Sequence, residues 1–304
     1  MAAPSPPVRF RNRYSGRIET EAIYGEGWLR WAYESPVGRL ALRAFVIRPW
    51  FSRWYGWRMD RPASRSRIAP FLHRYALDPA EFADPPDSFR TFNEFFHRRL
   101  RPEARPVDPH PDAAVFPADG RHLGWSSLSA ADRFYVKGQR FDLDSFLDDP
   151  ALSRTFQGGP AVFSRLCPTD YHRFHFPVAG IPSSPRLLKG PLASVNPIAL
   201  RQRLAWLWTN RRWQILLHTD AFGPVLVAPV GATNVGSAVF GYPPEIPAAK
   251  GAEIGCFRFG ASAILTLFAP GRVRLAGDLL DATREGLELY AHVGDRLGLR
   301  IRGG

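Results

Sequence analysis

Residues 224–240 read PVLVAPVGATNVGSAVF and residues 261–271 read ASAILTLFAPG, two apolar runs bounded by glycine and proline. Runs of this length and composition are typical of buried β-strands that end in turns. Two further stretches have the same texture, AAVFPADG at 113–120 and PAVFSRL at 160–166. We therefore predict a β-rich core over residues 113–304.

The chain before this core has a different texture. The first residues, MAAPSPPVRFRNRYSGR (1–17), lack the apolar centre of a secretion signal. We expect residues 1–35 to form a disordered or weakly ordered N-terminal tail. Residues 36–112 are predicted to be helical and close with RPEARPVDPHPD, a proline-rich linker. Inside the core, a helix is predicted near 141–148, whereas residues 277–298 carry strand and turn signals without a clear periodicity.

Residues 36–74 combine arginine and aromatic side chains at high density. They hold nine arginines and one acid, Asp60. Arg39, Arg43 and Arg48 recur at helical spacing before a proline begins a new turn. Short helices of this kind can lie in a membrane interface, with rings at headgroup depth and arginines on phosphates. The alternative is a helical pair packed on the protein's own core, with a solvated arginine face.

The composition is that of a folded, basic protein. Of 304 residues, 45% are hydrophobic and 22% charged, with a net charge of +12, which excludes a disordered chain and favours an anionic partner. No run of 18 uncharged apolar residues occurs, so no transmembrane helix is predicted. The two cysteines, Cys167 and Cys256, form no CxxC motif, which argues against a disulfide framework or structural zinc and favours a reducing compartment.

Four residues are candidates for chemistry. His172 and His175 lie in CPTDYHRFHFP, Asp119 in FPADGRH and Ser262 in FRFGASAILTLF. Histidine titrates near neutral pH and suits acid–base work, and a buried carboxylate can orient it. The structural alternatives are hydrogen-bonded core histidines, an Asp-Gly turn and a small serine at a strand start. No further ligands occur at metal-site spacing, so no metal is predicted, and GxSxG, P-loop and GxGxxG motifs are absent.

The combination of motifs is more specific than its parts. Together they resemble phosphatidylserine decarboxylase, a pyruvoyl-dependent family, over roughly residues 36–298. The motifs, in chain order, are FNEFFHRRLRP (92–102), FPADG (116–120), VKG (136–138), PTDYHRFHFP (168–177), SVN (194–196), FGPVLVAPVGATNVGS (222–237) and KGAEIGCFRFGAS (250–262).

The resemblance implies a self-cleaving proenzyme. The family's cleavage-site serine matches Ser262, so the cut falls between Ala261 and Ser262. The β chain would comprise residues 1–261 and the α chain residues 262–304, and the two stay associated. Ser262 becomes a pyruvoyl group, the covalent cofactor, which forms a Schiff base with the substrate amine and accepts the electrons that CO2 leaves behind.

The resemblance also implies roles for the other candidates. Asp119 and His175 match the pair that activates the serine for cleavage, and His172 matches the histidine linked to decarboxylation. These roles agree with elementary chemistry, because a hydroxyl is a poor nucleophile until a base takes its proton, and a carboxylate fixes the tautomer of that base.

The sequence departs from the family at the cleavage site. Members usually read Gly-Ser-Thr or Gly-Gly-Ser-Thr, whereas this chain reads Gly260, Ala261, Ser262 and Ala263. Ala261 adds a methyl group beside the attacked carbonyl, and Ala263 removes a hydroxyl, so slow processing is one expectation. Two alternatives stay open: a pyruvoyl-type decarboxylase of a free amino acid, and an uncleaved, non-catalytic lipid-binding relative.

Together these features predict an α+β protein with an N-terminal helical, membrane-facing region and a β-rich catalytic core. The expected reaction converts phosphatidyl-L-serine to phosphatidylethanolamine and CO2 in phospholipid biosynthesis. The expected partners are phosphatidylserine, an anionic membrane surface and the chain's own α and β products. Homodimer formation is left open, and no nucleic-acid partner is expected because no such motif occurs. The expected location is peripheral, on the cytoplasmic face of the cell membrane.

Overall fold

The structure, a computed structural model, describes residues 6–128, 141–233, 238–258, 260 and 262–302. The VKG motif and Ala261 of the expected cleavage bond lie outside the described residues. The α-helices in the described part are α1 (Glu26–Glu34), α2 (Pro36–Ala41), α3 (Pro49–Met59), α4 (Ile68–Tyr75), α5 (Phe92–Phe96), α6 (Leu143–Leu147), α7 (Pro150–Phe156), α8 (Pro197–Gln202), α9 (Trp206–Thr209) and α10 (Gly277–Arg284).

The strands follow in chain order and lie mostly after residue 112. They are β1 (Arg9–Asn12), β2 (Ile18–Thr20), β3 (Ala113–Val115), β4 (Gly120–Trp125), β5 (Ala161–Leu166), β6 (Arg173–His175), β7 (Ile181–Pro182), β8 (Arg186–Leu188), β9 (Arg212–His218), β10 (Val225–Val230), β11 (Ala238–Phe240), β12 (Glu253–Phe257), β13 (Ser262–Phe268), β14 (Val273–Leu275), β15 (Glu288–Ala291) and β16 (Arg296–Arg300). Helices and sheets occur together, so the predicted α+β class and β-rich texture are confirmed.

A large sheet organises the second half of the chain. Within the described ranges it has ten strands in the order β2-β1-β15-β4-β5-β13-β10-β9-β7, with β8 also paired to β9. Strands β5, β10 and β13 are buried along their whole length. Their side chains alternate between two cores, since Val227 packs in one and Leu226 in the other. Burial on both faces explains the continuous apolar runs in the sequence.

A smaller sheet covers one face of the large one. It has the order β11-β12-β6, and Phe174 of β6 and Phe257 of β12 pack into the same core as Ile264 of β13. A third sheet, β14-β16-β3, closes the edge of that core, with Val273 and Leu297 buried. The two histidine candidates therefore lie on or beside the strand that faces β13.

Residues 26–96, which contain helices α1–α5, form a helical layer. Ser35 ends α1 and caps α2, its hydroxyl accepting a hydrogen bond from the Gly38 amide at 2.9 Å, as expected for an N-cap serine. A Cβ atom at Gly38 would lie 1.9 Å from the Trp31 carbonyl oxygen, so this tight corner requires glycine. A five-residue π-helical turn, Leu42–Val46, joins α2 to α3. Phenylalanines of α4 and α5 form their own buried cluster.

Two expectations were wrong. The first residues are ordered within the described range, because β1 pairs in parallel with β15 and in antiparallel with β2. This places part of the expected tail inside the large sheet, a long-range pairing that no local pattern in residues 1–35 indicates. Residues 277–284 form helix α10 instead of strand and turn, since Leu279 and Ala282 pack against the core. No helix in the described ranges is both long and apolar enough to cross a bilayer.

Candidate active site

Ser262 and Asp119 lie at the same end of three adjacent strands. Ser262 begins β13 and pairs with Leu166 at the end of β5. On its other edge, β5 pairs with β4, with Arg165 opposite Arg121. Asp119 directly precedes Gly120, the first residue of β4. The strands approach closely here, because a Cβ atom at Gly120 would lie 2.4 Å from the Arg165 carbonyl oxygen. The topology thus brings two distant sequence motifs to one sheet end.

The Ser262 hydroxyl is buried and makes no hydrogen bond within the described residues. The residue is fully buried, and its Oγ atom has no hydrogen-bond partner among the described residues. A buried hydroxyl normally finds a partner, so an orphaned one marks a functional candidate. Strand alternation turns Ser262 toward the core that holds Ile264. Gly260, two residues earlier, has a φ of 137°, a conformation that favours glycine.

His172 lies beside this segment. Its ring is fully buried, its centroid is 3.9 Å from that of Phe96, and its carbonyl accepts from the Phe257 amide. The Nδ1 atom is 2.9 Å from the Asp170 carbonyl oxygen, whereas Nε2 has no hydrogen-bond partner in the described part of the chain. Burial lowers the pKa of His172 to about 4, although the backbone groups of Asp170 and Gly260 oppose the shift.

His175 faces a different space. It lines a cavity of about 280 Å³ together with Tyr171, Arg105 and Val293. The Tyr171 ring stacks on it at 5.8 Å between centroids, and Nδ1 is 2.9 Å from the Gly251 carbonyl oxygen. Burial lowers the pKa of His175, while the charges of Glu253 and Asp119 act in the opposite direction. His175 ends β6, whereas His172 directly precedes that strand, and the two side chains have separate surroundings.

Both histidines have the same tautomer. A carbonyl oxygen only accepts hydrogen bonds, so Nδ1 of His172 and of His175 must donate to it. The Nε2 atom of each neutral ring then carries the lone pair. Neither Nε2 has a partner within the described ranges, so each imidazole is in the form that can take a proton from a neighbour.

Asp119 is buried beside a cation. Its carboxylate accepts from Arg105 Nε at 2.8 Å and from the Val293 amide at 2.9 Å. Burial raises the pKa of Asp119, against the opposing charge of Arg105. Arg105 and Val293 also line the cavity that His175 faces, so Asp119 and His175 share a neighbourhood. No direct hydrogen bond joins any two of Asp119, His172, His175 and Ser262 in the part of the chain that the structure describes.

A buried ionic network, which the sequence reading missed, lies behind the site. Arg165 pairs with Glu21 and Glu288, and Arg121 pairs with Asp170 at 2.7 Å. Burial would raise the pKa of Glu21, but the two arginines hold it at about 2. The available signal was an arginine inside the apolar strand PAVFSRL, because a charge buried in a strand requires partners.

A well-formed cavity leads to this site. It has a volume of about 410 Å³, and its inner end is lined by Gly260, Cys167 and Arg165. Its outer wall is formed by Trp28 of α1 and Trp54 of α3, with other aromatic and apolar side chains between. We call it the main cavity. An apolar cavity with a few polar groups at one end is typical of a small-molecule site.

The helices around the cavity mouth expose large apolar side chains. Leu40 and Val37 are 71% and 69% exposed. Between residues 28 and 57 the other exposed members are Trp28, Trp31, Phe45, Trp50, Trp54 and Trp57. A surface patch of this kind usually marks an interaction site. Among the described residues no group of three or more His, Cys, Asp or Glu side chains could hold a metal ion.

Comparison with known proteins gives a consistent result. The family model described as phosphatidylserine decarboxylase matches residues 92–286. The phosphatidylserine decarboxylase proenzyme of Desulfitobacterium hafniense (strain Y51) is 36% identical over 293 residues, which cover 96% of this chain and 98% of the relative. The Chlamydia pneumoniae protein of the same name is 38% identical over 290 residues, covering 95% and 96%. That of Fusobacterium nucleatum is 35% identical over 291 residues, covering 96% and 97%.

Proposed function

The chain belongs to the phosphatidylserine decarboxylase family, and from this premise we propose that it converts phosphatidylserine to phosphatidylethanolamine and CO2. The observation that carries the proposal is the main cavity. It connects exposed aromatic helices to Gly260, two residues before the serine expected to generate the cofactor. A lipid that enters from a membrane could thereby place its serine headgroup at the inner end while its acyl chains stay near the mouth.

We propose that the chain makes its own cofactor at Ser262. The Ser262 Oγ attacks the Ala261 carbonyl carbon, the peptide C–N bond breaks, and the proton moves to the serine nitrogen. Loss of the α-proton and cleavage of the Cβ–O bond then leave Ala261 as a carboxylate and residue 262 with a Cα–Cβ double bond. Protonation at Cβ turns this enamine into an imine, water adds to the imine carbon, and the nitrogen departs as ammonia, which leaves a ketone. The buried, unpartnered Ser262 hydroxyl fits this use, because no competing hydrogen bond within the described residues has to be broken.

We assign the base for this cleavage to His175, with Asp119 assisting it through its charge. The Gly251 carbonyl fixes Nδ1 as a donor, which leaves Nε2 to accept a proton. Asp119 acts on His175 through charge, since it is hydrogen-bonded to Arg105 and not to the ring. A neutral imidazole is required of a base, and burial keeps His175 in that form by lowering its pKa.

We assign decarboxylation to His172. When present, the pyruvoyl group supplies an electron sink for the electrons released with CO2. His172 lies against the Gly260 backbone and is packed by Phe96, so its ring is held in one orientation. It is neutral before substrate binds, and the substrate's carboxylate would favour its protonation, which provides the acid needed at the α-carbon.

We propose that the α1–α3 helices dock peripherally on the anionic cytoplasmic leaflet. Arg39, Arg48 and Arg53 are exposed beside the apolar patch and have no ion pair within the described ranges. Tryptophan rings lie at headgroup depth and arginines attract anionic lipid, so the two side-chain types act together. Cys167 and Cys256 are free thiols, which fits the reducing side of the membrane.

The test measures CO2 released from phosphatidylserine in mixed micelles. We expect turnover by the wild-type protein, none by Ser262→Ala, and no release from free L-serine. Sodium borohydride should inactivate the wild type, because it reduces a ketone. Turnover of free serine would favour the amino-acid decarboxylase, and an inactive wild type that remains a single chain would favour the lipid-binding relative.

A further inference from the structure

A third cavity is lined by residues of α3 and of the 3₁₀ turn that follows it, Pro62–Arg67, and none of the catalytic candidates lines it. Its volume is about 390 Å³. We call it the Arg/Trp groove. It is lined by Trp54, Trp57, Arg58, Met59, Arg61, Ala63, Ser64 and Arg67.

Two of its arginines are held in place by tryptophan rings. The Arg61 guanidinium carbon lies 3.9 Å from the centre of the Trp57 ring, and that of Arg58 lies 5.2 Å from the centre of the Trp54 ring. Stacking on an aromatic face fixes a guanidinium plane while leaving its N–H donors free for an in-plane partner. The groove therefore presents oriented donors.

These donors have no partner of their own. In the ranges that the structure describes, no carboxylate pairs with Arg58, Arg61 or Arg67, and their side chains make no hydrogen bond. The nearby acid, Asp60, is committed elsewhere, because it accepts from Asn93 at 2.7 Å and lies 3.8 Å from Arg258. Three cations without an acid on the same groove attract an anion and leave a ligand's ammonium group without a partner.

The position of the groove indicates where the anion comes from. Trp54 and Arg58 line both the groove and the main cavity, so the two openings share one wall. Trp54 and Trp57, which line the groove, belong to the exposed apolar patch of α1–α3. A group bound in the groove would lie at the depth where lipid phosphates meet tryptophan rings.

We propose that the Arg/Trp groove binds the phosphate of an anionic phospholipid of the bilayer that is not the substrate. Arg58, Arg61 and Arg67 donate to the phosphate oxygens, since guanidinium geometry matches that group. The tryptophans contact the glycerol and upper acyl carbons. The bound lipid holds α3 against the membrane, so that the mouth of the main cavity opens toward the bilayer.

The experiment titrates the full-length protein with dihexanoyl phosphatidylglycerol below its micelle concentration and follows tryptophan fluorescence. The Arg61→Gln/Arg67→Gln variant spares Arg58, which also lines the main cavity. We expect it to bind at least tenfold more weakly than the wild type. The matched control is Arg65→Gln, from the same 3₁₀ turn, whose guanidinium donates to the Asp87 carbonyl at 2.8 Å. The control should bind within twofold of the wild type.

Two further probes fix the source of the anion. Dihexanoyl phosphatidylcholine and inorganic phosphate should each bind the wild type at least tenfold more weakly than phosphatidylglycerol, because one carries an ammonium group and the other lacks the apolar part. Equal binding of phosphatidylcholine overturns the electrostatic argument, and equal binding of inorganic phosphate overturns the lipid assignment. These comparisons use the wild type alone and stand even if the double variant does not fold.

The same titration separates the groove from the main cavity. Chain cleavage and turnover of monomeric dihexanoyl phosphatidylserine should be unchanged in the double variant. The double variant could instead keep wild-type affinity for phosphatidylglycerol, with phosphatidylglycerol inhibiting turnover competitively. That result would place the lipid in the main cavity and overturn the proposal. Loss of phosphatidylglycerol binding with full turnover on the soluble substrate supports it.

Discussion

Arginine serves opposite purposes in the helical layer and in the large sheet. Arg61 and Arg58 of the helical layer lie on tryptophan rings without an ion pair in the described ranges, and Arg53 is exposed. Arg165 and Arg121 of the sheet are buried, and carboxylates from other segments surround them. The first set has free charge to offer to a surface, whereas the second uses its charge inside the fold.

The exposed arginines of the helical layer relate to binding, whereas the buried arginines of the sheet support the site of the chemistry. Buried charge in the sheet connects β4, β5 and β15 around the end of β13, where Ser262 begins the strand. Removing one partner there would leave an uncompensated buried charge, which is costly. Removing an exposed arginine weakens the attraction of the protein to an anionic surface and leaves the packing of the fold intact. Substitutions in the two regions should therefore affect different measurements.

The largest effects should come from the histidines of the sheet region. We expect His175→Ala to remain a single, inactive chain, because the cleavage base is lost. His172→Ala should split normally but lose about 10²–10⁴-fold in decarboxylation, the usual range for a general acid. Asp119→Asn should resemble His175→Ala in a leakier form. Denaturing gels and CO2 release check both steps, and wild-type cleavage by both histidine variants would contradict the assignment.

A buried acid should have the next largest effect. Glu288→Gln leaves Arg165 without one of its two carboxylates, and we expect a loss of about 3–5 kcal/mol in the free energy of unfolding. The matched change in the helical layer, Arg53→Gln, should cost less than about 0.5 kcal/mol, since Arg53 is exposed. Urea denaturation measures both. Equal losses would mean that the two arginine populations do not differ as described.

The pH dependence of stability should sharpen the same contrast. The pKa of His172 is lowered by burial to about 4, below its value of about 6.5 in the unfolded chain. The unfolded chain therefore binds a proton first, so stability is complete above pH 6.5 and falls as the pH drops to 4. The contribution of this group is about 3 kcal/mol. Between pH 6.5 and 4, the free energy of unfolding measured with urea should fall by about 3 kcal/mol less in His172→Gln than in the wild type. An equal fall in the two proteins would contradict a buried neutral ring.

The smallest effects per residue should come from the helical layer. Replacing Arg39, Arg48 and Arg53 by glutamine should weaken binding to anionic vesicles by about 1 kcal/mol per residue. Turnover of soluble dihexanoyl phosphatidylserine should not change. Arg154→Gln and Arg274→Gln, exposed positions of the sheet region, serve as controls and should bind vesicles as the wild type does. A parallel loss of soluble-substrate turnover would show that the helices are structural parts of the core.

Local patterns in the sequence predicted the elements better than their assembly. The apolar runs at 225–230 and 262–268 correctly indicated buried strands, because burial on both faces leaves a continuous apolar sequence. β1 was missed because its pairing with β15 joins residues almost a whole chain length apart. Helix α10 was missed because its neighbours, and not its periodicity, define its buried face.

The site shows the same limit. Histidine and serine types, read with the family resemblance, singled out Ser262, His172, His175 and Asp119. Spacing alone could not show that Arg105 would lie between Asp119 and the neighbourhood of His175. Nor could it show that Glu21, from the expected tail, would reach the main cavity. Both facts depend on long-range packing, which a local pattern does not encode.

The intact mass of purified, active protein tests the central claim most directly. Cleavage before Ser262 would give an α chain of 43 residues, about 5 kDa, and a β chain of about 29 kDa, with a ketone in place of the α-chain amine. We expect these two masses and an α chain blocked to Edman degradation. Active protein that shows only the full mass of 34.2 kDa would contradict the self-cleaving, pyruvoyl-based account.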